Sequence, residues 1–216
     1  MNTDKQQTDL WVKEIKQSFR QMMDGATAQS MRQKGLDYHL NWGATIPRLQ
    51  QMAADIKADA AAHSSCYDLA IALWKENVRE CKILATLLMP ADEVLPEVVD
   101  IWMEQTPTVE IAEQAAFNLY QHLPYAAEKA FEWIASVGTL PQICGYHVLS
   151  RLFMRRQEPN ERGINEFVDQ ALAALQDPDV NLRKAAMQAV TRFAELSLMH
   201  QRLAQNALRR IGMSFL

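Results

Sequence analysis

The sequence predicts an all-helical protein of about six antiparallel helix pairs stacked into a solenoid. Three observations support this. Glycine and proline are scarce, 7 and 8 in 216 residues, and both interrupt helices. Apolar residues recur at steps of three and four, the helical period, and no stretch alternates with the period of a strand. Finally, one helical theme returns about a hundred residues on. Asn77-Val78-Arg79-Glu80-Cys81-Lys82-Ile83-Leu84-Ala85 is echoed by Asn181-Leu182-Arg183-Lys184-Ala185-Ala186-Met187-Gln188-Ala189, with weaker copies beginning near Thr108 and Gln142. A unit of about 35 residues marks stacked helical hairpins of the HEAT/armadillo kind. No single hairpin can cover its own apolar face, so its neighbours must. The expectation is a right-handed α-α superhelix with a curved inner surface.

Each element has its own signal. Leu10, Trp11, Ile15, Phe19 and Met22 form the apolar stripe of a first helix, which Asp24-Gly25 ends. A second helix is expected from Ala28 to His39. The loop Leu40-Asn41-Trp42-Gly43-Ala44-Thr45-Ile46-Pro47 follows, with Gly43 for the turn and Thr45 as N-cap before a first-turn proline. The next helix turns Leu49, Met52, Ala53 and Ile56 inward. Ser64-Ser65-Cys66 reads as helix capping. Regular helices are then expected over 65–75, 78–89, 92–104, 108–121, 125–137, 141–155, 161–176, 180–196 and 198–212. Short links centred on Pro90, Pro107, Pro124, Gly138/Pro141, Pro159 and Pro178 make the neighbours antiparallel.

The chain reads as one domain, 1–216, with N-terminal helices over 1–62 and regular repeats over 63–216. No apolar run approaches a membrane span, and the polar start Met1-Asn2-Thr3-Asp4 has no cleavable signal pattern. Cys66, Cys81 and Cys144 are odd in number and lack zinc spacing, so reduced, packed thiols in a cytoplasmic protein are expected. His39, His63, His122, His147 and His200 make no metal spacing, and no glycine-rich loop cradles a phosphate. No cofactor or metal is expected. The net charge of −4 conceals a gradient: residues 51–150 carry 5 basic and 14 acidic side chains, residues 151–216 carry 10 and 7. Phosphate binding needs local positive potential, and the carboxy-terminal third can supply it.

From Ala72-Leu73-Trp74 through Glu80 to Ala85 the sequence resembles the AlkD-type DNA alkylation repair family. The stretch from Tyr38 to Leu49, Thr108-Val109-Glu110-Ile111-Ala112-Glu113-Gln114, and Leu182 to Val190 are similar to further segments of that family. The resemblance covers roughly residues 30–210. It implies a concave DNA-binding cleft and cleavage of the N-glycosidic bond of cationic alkylpurines, without flipping the lesion into a pocket. A carboxylate then stabilises the sugar cation as the base leaves, two Trp faces press on the deoxyribose, and an Arg holds the backbone. Glu113 aligns with the carboxylate, one methylene longer than the family's Asp. Val109 and Gln188 stand where the Trp residues would be, and the Arg position falls near Gly145-Tyr146, with Arg151 one to two turns further on.

The candidate site residues are thus Glu113 for catalysis and Arg151, Arg155, Arg156, Arg183 and Lys184 for DNA, with Arg162 close behind the middle group. Each also has a structural reading. Glu113 suits a solvated helix flank. Arg155 and Arg156 suit a helix end whose dipole favours cations. Arg183 follows Asp177-Pro178-Asp179 and suits pairing between repeats, and Lys184 is equally open. Trp74, Trp102 and Trp133 suit the core, whereas Trp42 lies in a turn where it could edge a cleft. Two functions follow. One is a monomeric DNA alkylation repair-like protein binding duplex DNA, including alkylated duplex, with weakened or diverged catalysis. The other is a non-catalytic scaffold gripping a basic protein or peptide, for which the acidic middle third is suited.

Overall fold

Turn chemistry decides where the helices start and stop in the computed structural model, which describes residues 2–36, 38–59 and 66–214. The described residues hold twelve α-helices and one 3-10 turn. Among the described residues, an isolated parallel bridge joins Leu40 to Val78.

Helix α1 (Asn2–Gln21) buries Val12, Ile15 and Phe19. Leu10, expected inward, is exposed instead. Five residues separate it from Ile15, which turns it about 140° round the helix. Asp24 caps α2 (Gly25–Gln33), accepting the Thr27 N–H at 3.0 Å and its hydroxyl at 2.8 Å. This helix stops well short of His39. Gly35 takes φ +81°, and the Leu36 N–H turns back to the Met31 carbonyl at 3.1 Å, closing the last turn. Thr45 does occupy the N-cap of α3 (Ile46–Ala58), but its side chain makes no capping bond. Leu49 and Ala53 are buried, Met52 and Ile56 half-buried. His63, Ser64 and Ser65 lie outside the described residues.

Helices α4 (Cys66–Lys75) and α5 (Arg79–Leu88) form a hairpin. Helix α6 (Pro96–Glu104) begins later than expected, because residues 91–93 form a turn and Pro96 opens the helix. Helix α7 (Val109–Asn118) gives way to the 3-10 turn Tyr120–His122 instead of running on to 121. Then come α8 (Ala126–Ile134), α9 (Thr139–Met154), α10 (Glu161–Leu175), α11 (Val180–Ala194) and α12 (Leu198–Arg210). The last three are capped by the side chains of Asn160, Asp179 and Ser197.

The helices gather into two units, Met1–Leu119 and Tyr120–Leu216. In the first, α1 packs on α4, while α3, α4 and α7 surround α5. Every residue from Arg79 to Thr86 is consequently buried. Each fully enclosed aliphatic side chain here contributes about 1.5–3 kcal/mol of burial. In the second unit α9 packs between α8 and α11, and α10 and α12 pack together and on α11. Phe153, Phe167 and Phe193 meet at centroid distances of 5.0–5.6 Å in tilted and edge-on contacts, the geometries aromatic quadrupoles favour.

Candidate nucleic-acid interface

Glu113 lies on α7, so whatever fixes the start of that helix sets where the carboxylate points. Thr108 caps it, its hydroxyl accepting the Ile111 N–H at 3.3 Å. One residue into the helix, Glu110 takes a fork from Arg79, with Nε to Oε2 at 2.9 Å and Nη2 to Oε1 at 2.6 Å. The Tyr38 hydroxyl donates to Glu110 Oε2 and lies 2.8 Å from the Thr108 hydroxyl. The third Arg79 nitrogen, Nη1, reaches the Ala44 carbonyl at 2.8 Å and Glu80 Oε1 at 3.2 Å. Glu80, wholly buried, accepts the backbone N–H groups of Trp42 and Ala44. One buried guanidinium thus ties the loop 38–45, the start of α5 and the start of α7 together.

Burial opposes the charged form of Glu110, but Arg79's hydrogen bonds and charge outweigh it and hold the carboxyl below the usual range. Burial and the nearby Glu110 carboxylate push the Tyr38 hydroxyl up, so it stays a donor. Further along α7, Asn118 donates to the Thr86 hydroxyl at 2.9 Å and to Gln114 at 3.4 Å. Glu113 sits half-buried beside this braced face.

Sequence reasoning missed the roles of Arg79, Glu110 and Tyr38. A signal did exist in the repeated Asn-aliphatic-Arg theme, whose Arg does related work in both copies. Arg79 bonds a loop carbonyl, and Arg183 donates through Nη1 to the carbonyls of Asp177 at 2.6 Å and Pro178 at 2.9 Å.

The tryptophans are largely structural. Trp74 and Trp102 stack with centroids 4.3 Å apart and 4° between planes, both buried. Lys82 lies 4.3 Å from the Trp74 ring centre and donates to the Trp74 carbonyl at 2.9 Å. Trp133 is buried against Tyr120. Trp42 is half-buried beneath the Arg20 guanidinium, 5.7 Å away.

In the second unit, Arg155 and Arg156 end α9 and diverge. Arg155 donates to the Gln121 carbonyl at 3.0 Å and to the Gln121 side chain. Arg156, at φ 62°, donates to the carbonyls of Glu195 and Leu196 at the far end of α11. Arg155 thus serves a carbonyl of the 3-10 turn and Arg156 the carbonyls at the end of α11, each on an element other than its own helix. Each fork carries five N–H groups, so donors remain for other oxygens. Arg151 is half-buried on α9 near the Met154 sulfur. Arg183 and Lys184 lie in the first turn and a half of α11, opposite the end that Arg156 reaches. Arg156, Arg183 and Lys184 therefore mark the two ends of α11, whereas Arg151 and Arg155 stay with α9 and the 3-10 turn, so the basic candidates do not converge on one point. Lys184 and Gln188, one turn apart, are both exposed on this helix.

The Gly145-Tyr146 position is core. A Cβ on Gly145 would meet the Ala130 carbonyl oxygen and an Ile134 methyl at 2.8 Å, so glycine lets α8 and α9 touch. Tyr146 is buried with its edge toward Phe167. Val109 is half-buried. Among the described residues no cluster of His, Cys, Asp and Glu is arranged to hold a metal ion, and no helix is long and apolar enough to cross a membrane.

A family model described as "DNA alkylation repair enzyme" matches residues 15–187 of the chain. No curated protein sequence matches it. A solved structure described as "a new family of proteins related to the HEAT-like repeat DNA glycosylases with affinity for branched DNA structures" superposes with a TM-score of 0.79 at 15% identity. The match covers 94% of this chain and 83% of that one, and it establishes the HEAT-like repeat fold.

Proposed function

The chain belongs to the DNA alkylation repair enzyme family, and from that premise we propose that it binds DNA along the basic side of its second unit, with a diverged catalytic set. The division of charge carries this reading. Residues 120–216 hold 11 basic and 9 acidic side chains, residues 1–119 hold 11 and 17. Polyanions respond to local potential, so a chain of net charge −4 can still hold DNA on one unit. Helix α11 is about 22 Å long. Its two ends, with Arg183 and Lys184 at one and Arg156 at the other, therefore span about six base steps at 3.4 Å each. Arg151 and Arg155 extend the basic side along the end of α9. The structural relative is described by its affinity for branched DNA, and we extend that substrate class to this chain beside duplex, alkylated or not.

Glu113 is the residue assigned to chemistry, as the anion beside a developing sugar cation. Val109, Gln188 and the buried Gly145-Tyr146 supply neither the aromatic faces nor the arginine of the resembling family. Misplacement of a reacting group by about 1 Å can lower a rate a hundredfold, so base excision is slow relative to binding. The competing reading, a scaffold for a basic protein or peptide, draws on the acidic excess of the first unit.

A salt titration separates the two. Affinity for duplex and for a four-way junction is expected to fall steeply between about 50 and 200 mM salt, and Lys184→Ala to lower the slope by about one. No binding to either DNA at about 50 mM salt would reject DNA binding and leave the scaffold. Base release from alkylated duplex, compared with Glu113→Gln, tests the chemistry: equal release removes Glu113 from it.

A further inference from the structure

Two surfaces, one on each unit, complement each other in charge and in apolar character. We propose that copies of this chain associate head to tail, with α12 of one copy seated in the groove between α1 and α3 of the next. The inference is independent of the DNA-binding reading.

The first surface is the outer face of α12. Its inner face buries His200, Ala204, Ala207 and Leu208. Outside stand Leu198, Met199 and Leu203, exposed by 63%, 53% and 38%. Met199, Leu203, Asn206 and Arg210 follow one another at steps of three and four, with Arg202 beside Leu203, a single helical stripe. Residues 196–216 contain three arginines and no carboxylate side chain. A helix face that exposes Leu and Met among arginines has the character of a contact surface.

The second surface is a groove of about 340 Å³ between α1 and α3. Trp11, Met52 and Ile56 give it an apolar wall, and Glu14, Asp55 and Asp59 line it with acid. Among the described residues, no basic side chain lines it. An apolar ridge flanked by guanidinium groups meets an apolar trough flanked by carboxylates, which favours this pairing and disfavours the self-pairing of either surface. Because the two surfaces differ, the contact is heterologous: each copy offers one free surface of each kind, and association continues until a ring closes.

Sedimentation equilibrium of the whole chain tests it. The weight-average mass is expected to rise above the monomer's 24.6 kDa with concentration, and less so at high salt. Met199→Glu with Leu203→Glu removes one surface; Glu14→Lys with Asp55→Lys removes the other. Each variant alone is expected to stay monomeric, while their equimolar mixture forms a dimer that grows no further. Circular dichroism checks that both remain helical, and should a double variant unfold, Leu203→Lys and Asp55→Lys carry the same test singly. A wild-type chain that remains monomeric at millimolar concentration overturns the proposal. So does a variant that associates like the wild type, or a mixture that does not dimerise. A monomeric wild type whose α12 variant loses DNA binding would instead assign that face to nucleic acid, and would likewise overturn the proposal.

Discussion

Arg79 is the residue on which the first unit turns. Its guanidinium is 1% exposed and faces two carboxylates, Glu80 and Glu110, and a carbonyl. Replacing one partner of a buried ion cluster leaves the others charged and dry, which costs about 3–5 kcal/mol. Arg79→Met is therefore expected to lower the melting temperature sharply, whereas Glu110→Gln, which keeps a hydrogen-bonding end, costs less; thermal unfolding of both variants checks the order. The same cluster sets an acid limit. Arg79 holds the folded-state Glu110 carboxyl below its ordinary value, despite burial. The folded chain then binds that proton less readily than the unfolded chain. Its contribution is complete above the unfolded value near 4.3 and is lost as pH falls through the lower folded value. Acid unfolding of Glu110→Gln, followed by circular dichroism, is expected to show a shallower slope in that window. Tyr38 acts at the other extreme: its raised folded value stabilises the chain below about pH 10 and stops doing so as pH climbs beyond it.

Between elements, three backbone positions have separable costs. Gly43 sits at φ +76°, and a Cβ there would lie 2.2 Å from the Asp24 carbonyl oxygen, in the turn that carries Trp42 and Ala44 to Glu80. Gly35 has a similar φ of +81° with open space around it. Gly35→Ala is expected to cost about 1–2 kcal/mol from the left-handed conformation alone. Gly43→Ala costs more, because the clash adds to it, and denaturant midpoints of the two variants measure the difference. Arg156 is the converse case, a side chain retained where glycine would be at ease. Arg156→Gly relieves the backbone but gives up the bonds to the end of α11. Stability is expected to change by less than about 1 kcal/mol, while DNA affinity falls. A variant with unchanged affinity would reduce Arg156 to a helix brace.

For the molecule as a whole, the uneven charge matters more than its sum. Phosphate anchoring by the basic residues of the second unit predicts that neutralising Lys75 on α4 leaves affinity within about twofold, while neutralising Lys184 lowers it and flattens the salt dependence. Matched loss from both substitutions in a mobility-shift series would show the attraction to be diffuse. The helical repeat itself was legible because a period of three and four is written in consecutive residues, and the proline-marked links fell where helices do change. The ends were less legible. Residue 35 closes α2 early and Pro96 opens α6 late, since a turn's hydrogen bonds compete with helix continuation in ways that apolar spacing does not record.

Local order along the chain sufficed to foresee helices, their amphipathic faces and the core placement of Trp74, Trp102 and Trp133, while the carboxylate on α7 became a candidate through the family resemblance. It could not foresee that Tyr38, Arg79 and Glu110 would meet, because the partners lie 31 and 72 residues apart. Nor could it foresee that Arg155 and Arg156, adjacent in sequence, would reach in opposite directions. Periodicity comes from neighbours within one turn, whereas these contacts exist only after separate helices have packed, when burial makes an unpartnered charge too costly to leave alone.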